Sequence, residues 1–241
     1  MCYYASIKSN SRDIVKEFDV IFPHSELFKP AYSASAFAFP PMPVVSNETP
    51  DMISLFQWGL IPFWVKNLEQ ATSLRQRTLN ARSETIFVKP AFRHSIRTKR
   101  CLVIVDGFYE WRHVGKKRYP YYITLKTRPL FALAGIWDSW TDHETNDNFN
   151  TFAVVTTEAN ELMAKVHNSR KRMPLILPMK RHQDWLDVKI DETTIKGMMK
   201  PYDANEMEVH TVENKLNRLG YNTTDRTVME PFDYPGLPAL D

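Results

Sequence analysis

Cys101-Leu102-Val103-Ile104-Val105-Asp106-Gly107-Phe108-Tyr109-Glu110-Trp111-Arg112 is an apolar, β-branched run that ends in a carboxylate set between aromatic rings. Its Leu, Val and Ile residues show no polar alternation, which predicts a strand covered on both faces. Gly107 marks a bulge or a close approach of backbone. On such a strand Glu110 is withdrawn from water, and its pKa is pushed upward, toward the range where it can hold or donate a proton near neutrality. Strict alternation of side chains would instead turn Glu110 to solvent, and the stretch alone leaves both open.

Downstream, Gly115-Lys116-Lys117-Arg118 turns a hairpin into Tyr119 to Leu125, Leu130 to Trp137 forms the next strand, and an acidic, Asn-rich loop from Asp138 to Asn150 leads into Thr151 to Thr156. This is an antiparallel meander. Upstream, Met52 to Trp58 alternates like a strand and breaks at Gly59 and Pro62, whereas Pro30 to Pro43 reads as a loop. Helices are expected at Ser11 to Phe18 with Ser11 as N-cap, at Pro90 to about Thr98, and at Glu158 to Val166 with Thr157 as cap. The last helix ends at His167, where the negative end of the dipole favours the imidazolium form. Arg172-Met173-Pro174 then turns into a strand, Leu175 to Pro178. A helix through Trp185, another from Ile195 to Met199, a strand from Met207 to Val212 and a polar tail complete the chain. With no repeat, low-complexity tract or linker, residues 1–241 read as a single α+β domain.

The formal charge of +3 decides little, but its distribution is uneven. Between Arg75 and Arg100 stand Arg75, Arg77, Arg82, Lys89, Arg93, Arg97, Lys99 and Arg100 against one acid, Glu84, while acids collect from Asp138 to Asp147 and beyond Asp184. A molecule so divided suits a polyanion. Exposed rings of Trp58 and Trp64 beside this block would stack unpaired bases at about 1–3 kcal/mol each, though either ring could equally belong to the core. Asn80 and Arg82, in a short polar turn, have the chemistry to grip sugar and phosphate oxygens.

The two cysteines, Cys2 and Cys101, form no Cys-x-x-Cys pair, and no histidine spacing resembles a metal site, so neither metal nor cofactor is expected. The chain lacks a signal-type leader and an apolar stretch of membrane length, which places it in a reducing cytoplasm. Cys2 follows the initiator methionine. Removal of Met1 would leave one residue with both a thiol and an α-amine; the amine, titrating near about 8, is partly unprotonated at neutral pH. Such a pair condenses with an aldehyde, first to an imine and then to a five-membered thiazolidine. The alternative is that position 2 holds a small cysteine with no function.

Met1-Cys2, Trp58-Gly59 with Pro62 and Trp64, Asn80-Ala81-Arg82-Ser83-Glu84-Thr85, Asp106-Gly107-Phe108-Tyr109-Glu110-Trp111, and His167 followed by Arg172-Met173-Pro174 together resemble the SRAP family of abasic-site processing proteins. The resemblance spans residues 2–215 and implies a twisted, barrel-like, mainly antiparallel sheet with a cationic channel for single-stranded DNA. It further implies Cys2 as nucleophile toward the ring-opened sugar of an abasic site, Asn80 as positioner, Glu110 as general acid and base, and His167 in proton transfer or strand cleavage. Arg82 and Arg172, with Trp58 and Trp64, would contact DNA. The family's usual Cys-Gly-Arg start is here Cys2-Tyr3-Tyr4, so the missing phosphate contact is expected from Arg75 or Arg77, and extra residues separate His167 from Arg172. A cytoplasmic monomer, nucleoid-associated if the source is bacterial, acting in DNA damage response, is the corresponding expectation. A thiol peptidase acting through Cys2, even on its own Met1, and a non-catalytic reader of single-stranded nucleic acid are the alternatives.

Overall fold

The computed structural model describes residues 2–216 and 224–240; Met1 and part of the expected polar tail lie outside them. Thirteen strands follow one another among the described residues: β1 (Tyr4–Ile7), β2 (Ala31–Ser35), β3 (Pro41–Ser46), β4 (Thr49–Trp58), β5 (Asn80–Arg82), β6 (Arg100–Val105), β7 (Gly107–Val114), β8 (Lys117–Leu125), β9 (Phe131–Thr141), β10 (Asn148–Glu158), β11 (Arg172–Pro174), β12 (Ile176–Leu177) and β13 (Met207–Thr211). The helices are short: α1 (Ser11–Phe18), α2 (Leu68–Arg75), α3 (Ser95–Thr98), α4 (Glu161–Val166), α5 (His182–Leu186) and α6 (Glu192–Met198).

The decisive stretch is two strands in two sheets. β6 lies between β3 and β9, and the pairings β4–β3–β6–β9–β10 close on themselves because β10 also runs parallel to β4, Thr151 opposite Gln57 and Phe152 opposite Trp58. The result is a five-stranded barrel, antiparallel except at that seam. β6 is buried along its whole length, as its unbroken apolar run demands: one face fills the barrel and the other is covered by α5 and α3. After Asp106 the chain leaves the barrel, and β7 joins a second, antiparallel sheet in the order β13–β8–β7–β1–β2.

Asp106 and Gly107 make this crossing possible. The buried Asp106 carboxylate accepts from the Lys8 and Ser9 amides at 2.6 and 3.1 Å and from the Ser6 hydroxyl at 2.6 Å, which ties β1 to the junction. A Cβ at Gly107 would lie 2.3 Å from the Tyr122 hydroxyl oxygen, so glycine is there for a close approach. β1 then pairs antiparallel with β7, Tyr4 opposite Tyr109 and Ser6 opposite Gly107. That register leads the preceding residues, Tyr3 and Cys2, toward Glu110.

Several local expectations are corrected. Residues 30–43 are not a loop but carry β2 and the start of β3. The basic helix from Pro90 shrinks to Ser95–Thr98. The acidic loop contracts because β9 and β10 extend to Thr141 and back to Asn148. Asn10 caps α1 in place of Ser11, and Asn160 caps α4 because Thr157 belongs to β10. Arg100 leaves the cationic surface altogether: it is fully buried, donates to the carbonyls of Trp185, Ile96 and Asp187, and has its pKa lowered to about 10 by burial.

Candidate active site

Cys2, Asn80, Glu110 and His167 come from the chain start, β5, β7 and the end of α4, and the fold brings them together. Cys2 is completely buried. The Asn80 Nδ2 donates to the Cys2 carbonyl at 2.9 Å, while the Asn80 Oδ1 is buried with no hydrogen-bond partner among the described residues. Asn80 is held by the short parallel pairing of β5 with β10, which sets Asn80 opposite Val154. Burial, and after it the nearby Glu110 carboxylate, raises the Cys2 thiol far above its ordinary range, so the resting group is a neutral thiol.

Glu110 is the buried side of the alternation left open by the sequence, with 3% of its surface accessible. Desolvation raises its pKa from 4.5 to about 7, so at neutral pH both its acid and its base forms are populated. His167 Nδ1 lies 3.6 Å from the Glu110 Oε1 and 2.9 Å from the Arg172 carbonyl oxygen. A carbonyl only accepts, so Nδ1 carries the proton and the lone pair is on Nε2. The expected dipole-stabilised imidazolium is overturned: desolvation outweighs the helix end and lowers His167 to about 4. The histidine is neutral, a base at Nε2 and a donor at Nδ1.

Above these groups opens a cavity of about 410 Å³, walled by Tyr3, Tyr4, Phe37, Glu110, Trp111, His113, Arg118, His167, Ser169 and Arg170. Tyr3 packs against Phe37, ring centroids 4.9 Å apart. Cys2 and Asn80 are not part of this wall, although Tyr3, the next residue after Cys2, is. No group of three or more His, Cys, Asp or Glu side chains suited to a metal ion occurs among the described residues, and no helix is long and apolar enough to cross a membrane.

The expected DNA contacts fare unevenly. Trp58 is 1% exposed, stacks on Phe152 at 5.7 Å and donates its Nε1 proton to the Leu79 carbonyl at 2.8 Å, so it has no face for a base. Trp64 is 47% exposed beside exposed Phe63, as a stacking ring must be, though outside the cavity wall. Arg172 is buried and committed to Glu84 and to the Thr156 carbonyl, which makes it a brace between β11 and β10. Arg75 packs 3.9 Å over the Phe39 ring and donates to Gln57 and to the Trp58 carbonyl, and Arg77, just beyond the end of α2, folds back on Ser73 of that helix. Neither lines the cavity. Arg82 is exposed at the end of β5, and its charge reaches the Tyr3 hydroxyl.

Tyr3, Arg118 and Arg170 were not among the expected site residues. Arg118 arrives through the β7–β8 hairpin, whose turn the sequence did mark, and Arg170 through the loop after His167, which no local pattern marks.

Known proteins match the chain in sequence, and a solved structure matches it in fold. The chain is 33% identical over 229 residues to the abasic site processing protein YoaM of Bacillus subtilis, covering 93% of this chain and 96% of that protein. It is 30% identical over 211 residues to the abasic site processing protein YMR114C of Saccharomyces cerevisiae, covering 84% of this chain and 53% of that one. A solved structure of a protein from Bacteroides thetaiotaomicron superposes with a TM-score of 0.90 at 35% identity, over 96% of this chain and 100% of that chain. The family model described as SOS response associated peptidase (SRAP) matches residues 1–219, and the chain belongs to this family.

Proposed function

We propose that the chain, with Met1 removed, recognises abasic sites in single-stranded DNA and captures the sugar aldehyde covalently as a thiazolidine on Cys2. The observation that carries this reading is the burial of a neutral thiol within reach of the charge of an acid that titrates near pH 7.

The α-amine of Cys2 adds to the aldehyde carbon of the ring-opened sugar, and after proton transfer from nitrogen to oxygen a neutral carbinolamine results. Glu110 in its acid form gives its proton to the hydroxyl, which departs as water and leaves a protonated imine beside a carboxylate. The Cys2 sulfur then adds to the imine carbon, its proton passes to Glu110, and the C=N electron pair returns to nitrogen. One water is released and Glu110 ends as it began. The order of steps suits the buried environment: the thiol stays protonated until the preceding step has made the base it needs.

Asn80 holds the Cys2 carbonyl, and its unpartnered Oδ1 offers an acceptor to the α-amine. His167, neutral with a lone pair on Nε2, assists proton transfer at the sugar oxygens. Arg82 and Trp64 supply phosphate and base contacts outside the cavity. The naming of the relatives as abasic site processing proteins supports the substrate class.

Intact mass of the purified protein first establishes loss of Met1. Incubation with a single-stranded oligonucleotide treated with uracil glycosylase is then expected to give a heat-stable adduct, absent with Cys2→Ala and slowed with Glu110→Gln. A Cys2→Ala protein that forms the same adduct would refute the proposal.

A further inference from the structure

The residues between His167 and Arg172 play no part in the chemistry above, yet they are held firmly. Asn168 clamps onto the His113 backbone of β7 with both amide atoms: Oδ1 accepts from the His113 amide at 2.9 Å, and Nδ2 donates to the His113 carbonyl at 2.8 Å. At the other end, the Lys171 amide donates to the His167 carbonyl at 2.8 Å, and the Lys171 carbonyl accepts from the Ala159 amide at 3.0 Å. Lys171 takes a φ of 49°, a left-handed conformation that favours glycine and strains a residue with a side chain. The bonds on both sides hold it there. An ordinary surface turn needs neither a two-atom side-chain staple nor that strain.

What the staple presents is Arg170. Arg170 and, from β8, Arg118 both line the cavity that contains Glu110 and His167. Both are exposed, and neither has a carboxylate partner among the described residues, unlike Arg97, Arg128, Arg172 and Arg181, which are all paired. The positive charge of Arg170 is felt at both Tyr3 and His167. Two guanidinium groups on the rim of one cavity, aimed at no protein carboxylate, are arranged for an anion.

We infer that Arg170, positioned by the Asn168 staple and assisted by Arg118, binds a phosphate of the DNA strand next to the captured sugar, a contact separate from Arg82. This rests on the function proposed above and adds to it the residues that hold the backbone at the cavity mouth.

An oligonucleotide carrying a tetrahydrofuran abasic analogue has no aldehyde, so binding to the processed wild-type protein stays non-covalent and can be followed by anisotropy across salt concentrations. Arg170→Ala is expected to weaken binding and to flatten the plot of log affinity against log salt by about 0.7, the counterion release of one single-strand phosphate. Arg170→Lys keeps the slope, because the charge remains. Asn168→Ala is expected to weaken binding of the analogue less than Arg170→Ala does and to add nothing further in the Asn168→Ala/Arg170→Ala double variant, which a general loss of folding would not do. Arg181→Ala, outside the cavity, is the control and changes neither. An unchanged slope in Arg170→Ala, or an equal change in Arg181→Ala, overturns the inference while leaving covalent capture intact. A wild-type protein that binds the analogue but forms no adduct with the aldehyde-bearing strand refutes the chemistry alone, and one that binds neither overturns both.

Discussion

Glu110→Gln removes one charge from a fully buried site while keeping side-chain shape, and its effect on stability has a definite sign and size. In the unfolded chain the carboxyl titrates at 4.5, and in the folded protein at about 7. Between these values the folded state holds the proton and the unfolded state has released it. The favourable contribution is therefore fully present below pH 4.5 and is lost as pH rises through 7. At about 1.4 kcal/mol for each pH unit between the two values, the loss amounts to about 3 kcal/mol. For a chain of this size that corresponds to about 6–12 °C in Tm. His167, depressed to about 4 and present in both proteins, stays neutral in both above pH 5.5 and cancels from the comparison. Urea denaturation of wild type and variant at a series of pH values from 5 to 8.5 measures the difference directly. The variant is expected to gain on the wild type by about 3 kcal/mol across that range, with most of the gain between pH 5 and 7. A free-energy difference constant with pH would show that Glu110 titrates at its ordinary value, and the acid role would lose its physical basis. The same substitution is expected to slow adduct formation by roughly 10²–10⁴ and to remove its decline above pH 7.

Asp106→Ala strips a buried carboxylate from the amides of Lys8 and Ser9 and the Ser6 hydroxyl; urea unfolding should register a loss of about 3 kcal/mol, since the two amides lose that acceptor while Ser6 keeps only Tyr122. The same variant should weaken adduct formation, because β1 carries Cys2 to the site. Trp64→Ala should leave Tm nearly unchanged and weaken single-strand binding by about 1–3 kcal/mol in an anisotropy titration. Trp58→Ala should do the reverse, costing about 3–5 kcal/mol of stability through the cavity it leaves in the barrel; equal effects of the two tryptophans on DNA binding would contradict their assignment to surface and core.

Adjacent residues in the sequence were informative wherever burial alone sets the structure. The unbroken Leu102 to Val105 run announced a strand covered on both faces, the hairpin at Gly115 and the meander followed from alternation and turn residues, and the family motifs named Cys2, Asn80, Glu110 and His167 before their positions in space were known. Short-range pattern failed where partners are distant. Residues 30–43 look like a loop because Pro and Ala carry little strand propensity, yet β3 forms because β4 and β6 flank it on both sides. The basic block from Arg75 to Arg100 reads as one charged surface, but Arg100 points inward to carbonyls and Arg75 packs on Phe39.

By itself the sequence determined the chemistry available: a thiol at position 2, an acid on a core strand, a histidine ending a helix, and a family to which that combination belongs. Only the tertiary structure decided the state of those groups. Glu110 faces inward because β7 leaves the barrel at Gly107 and pairs with β1, and its raised pKa follows from the water that pairing excludes. His167 is neutral because it is buried, which the dipole of α4 could not reveal. Arg118 reaches the cavity mouth through the local hairpin at Gly115, whereas Arg170 is brought there by a loop stapled between Asn168 and His113, a contact across more than fifty positions that no local pattern encodes.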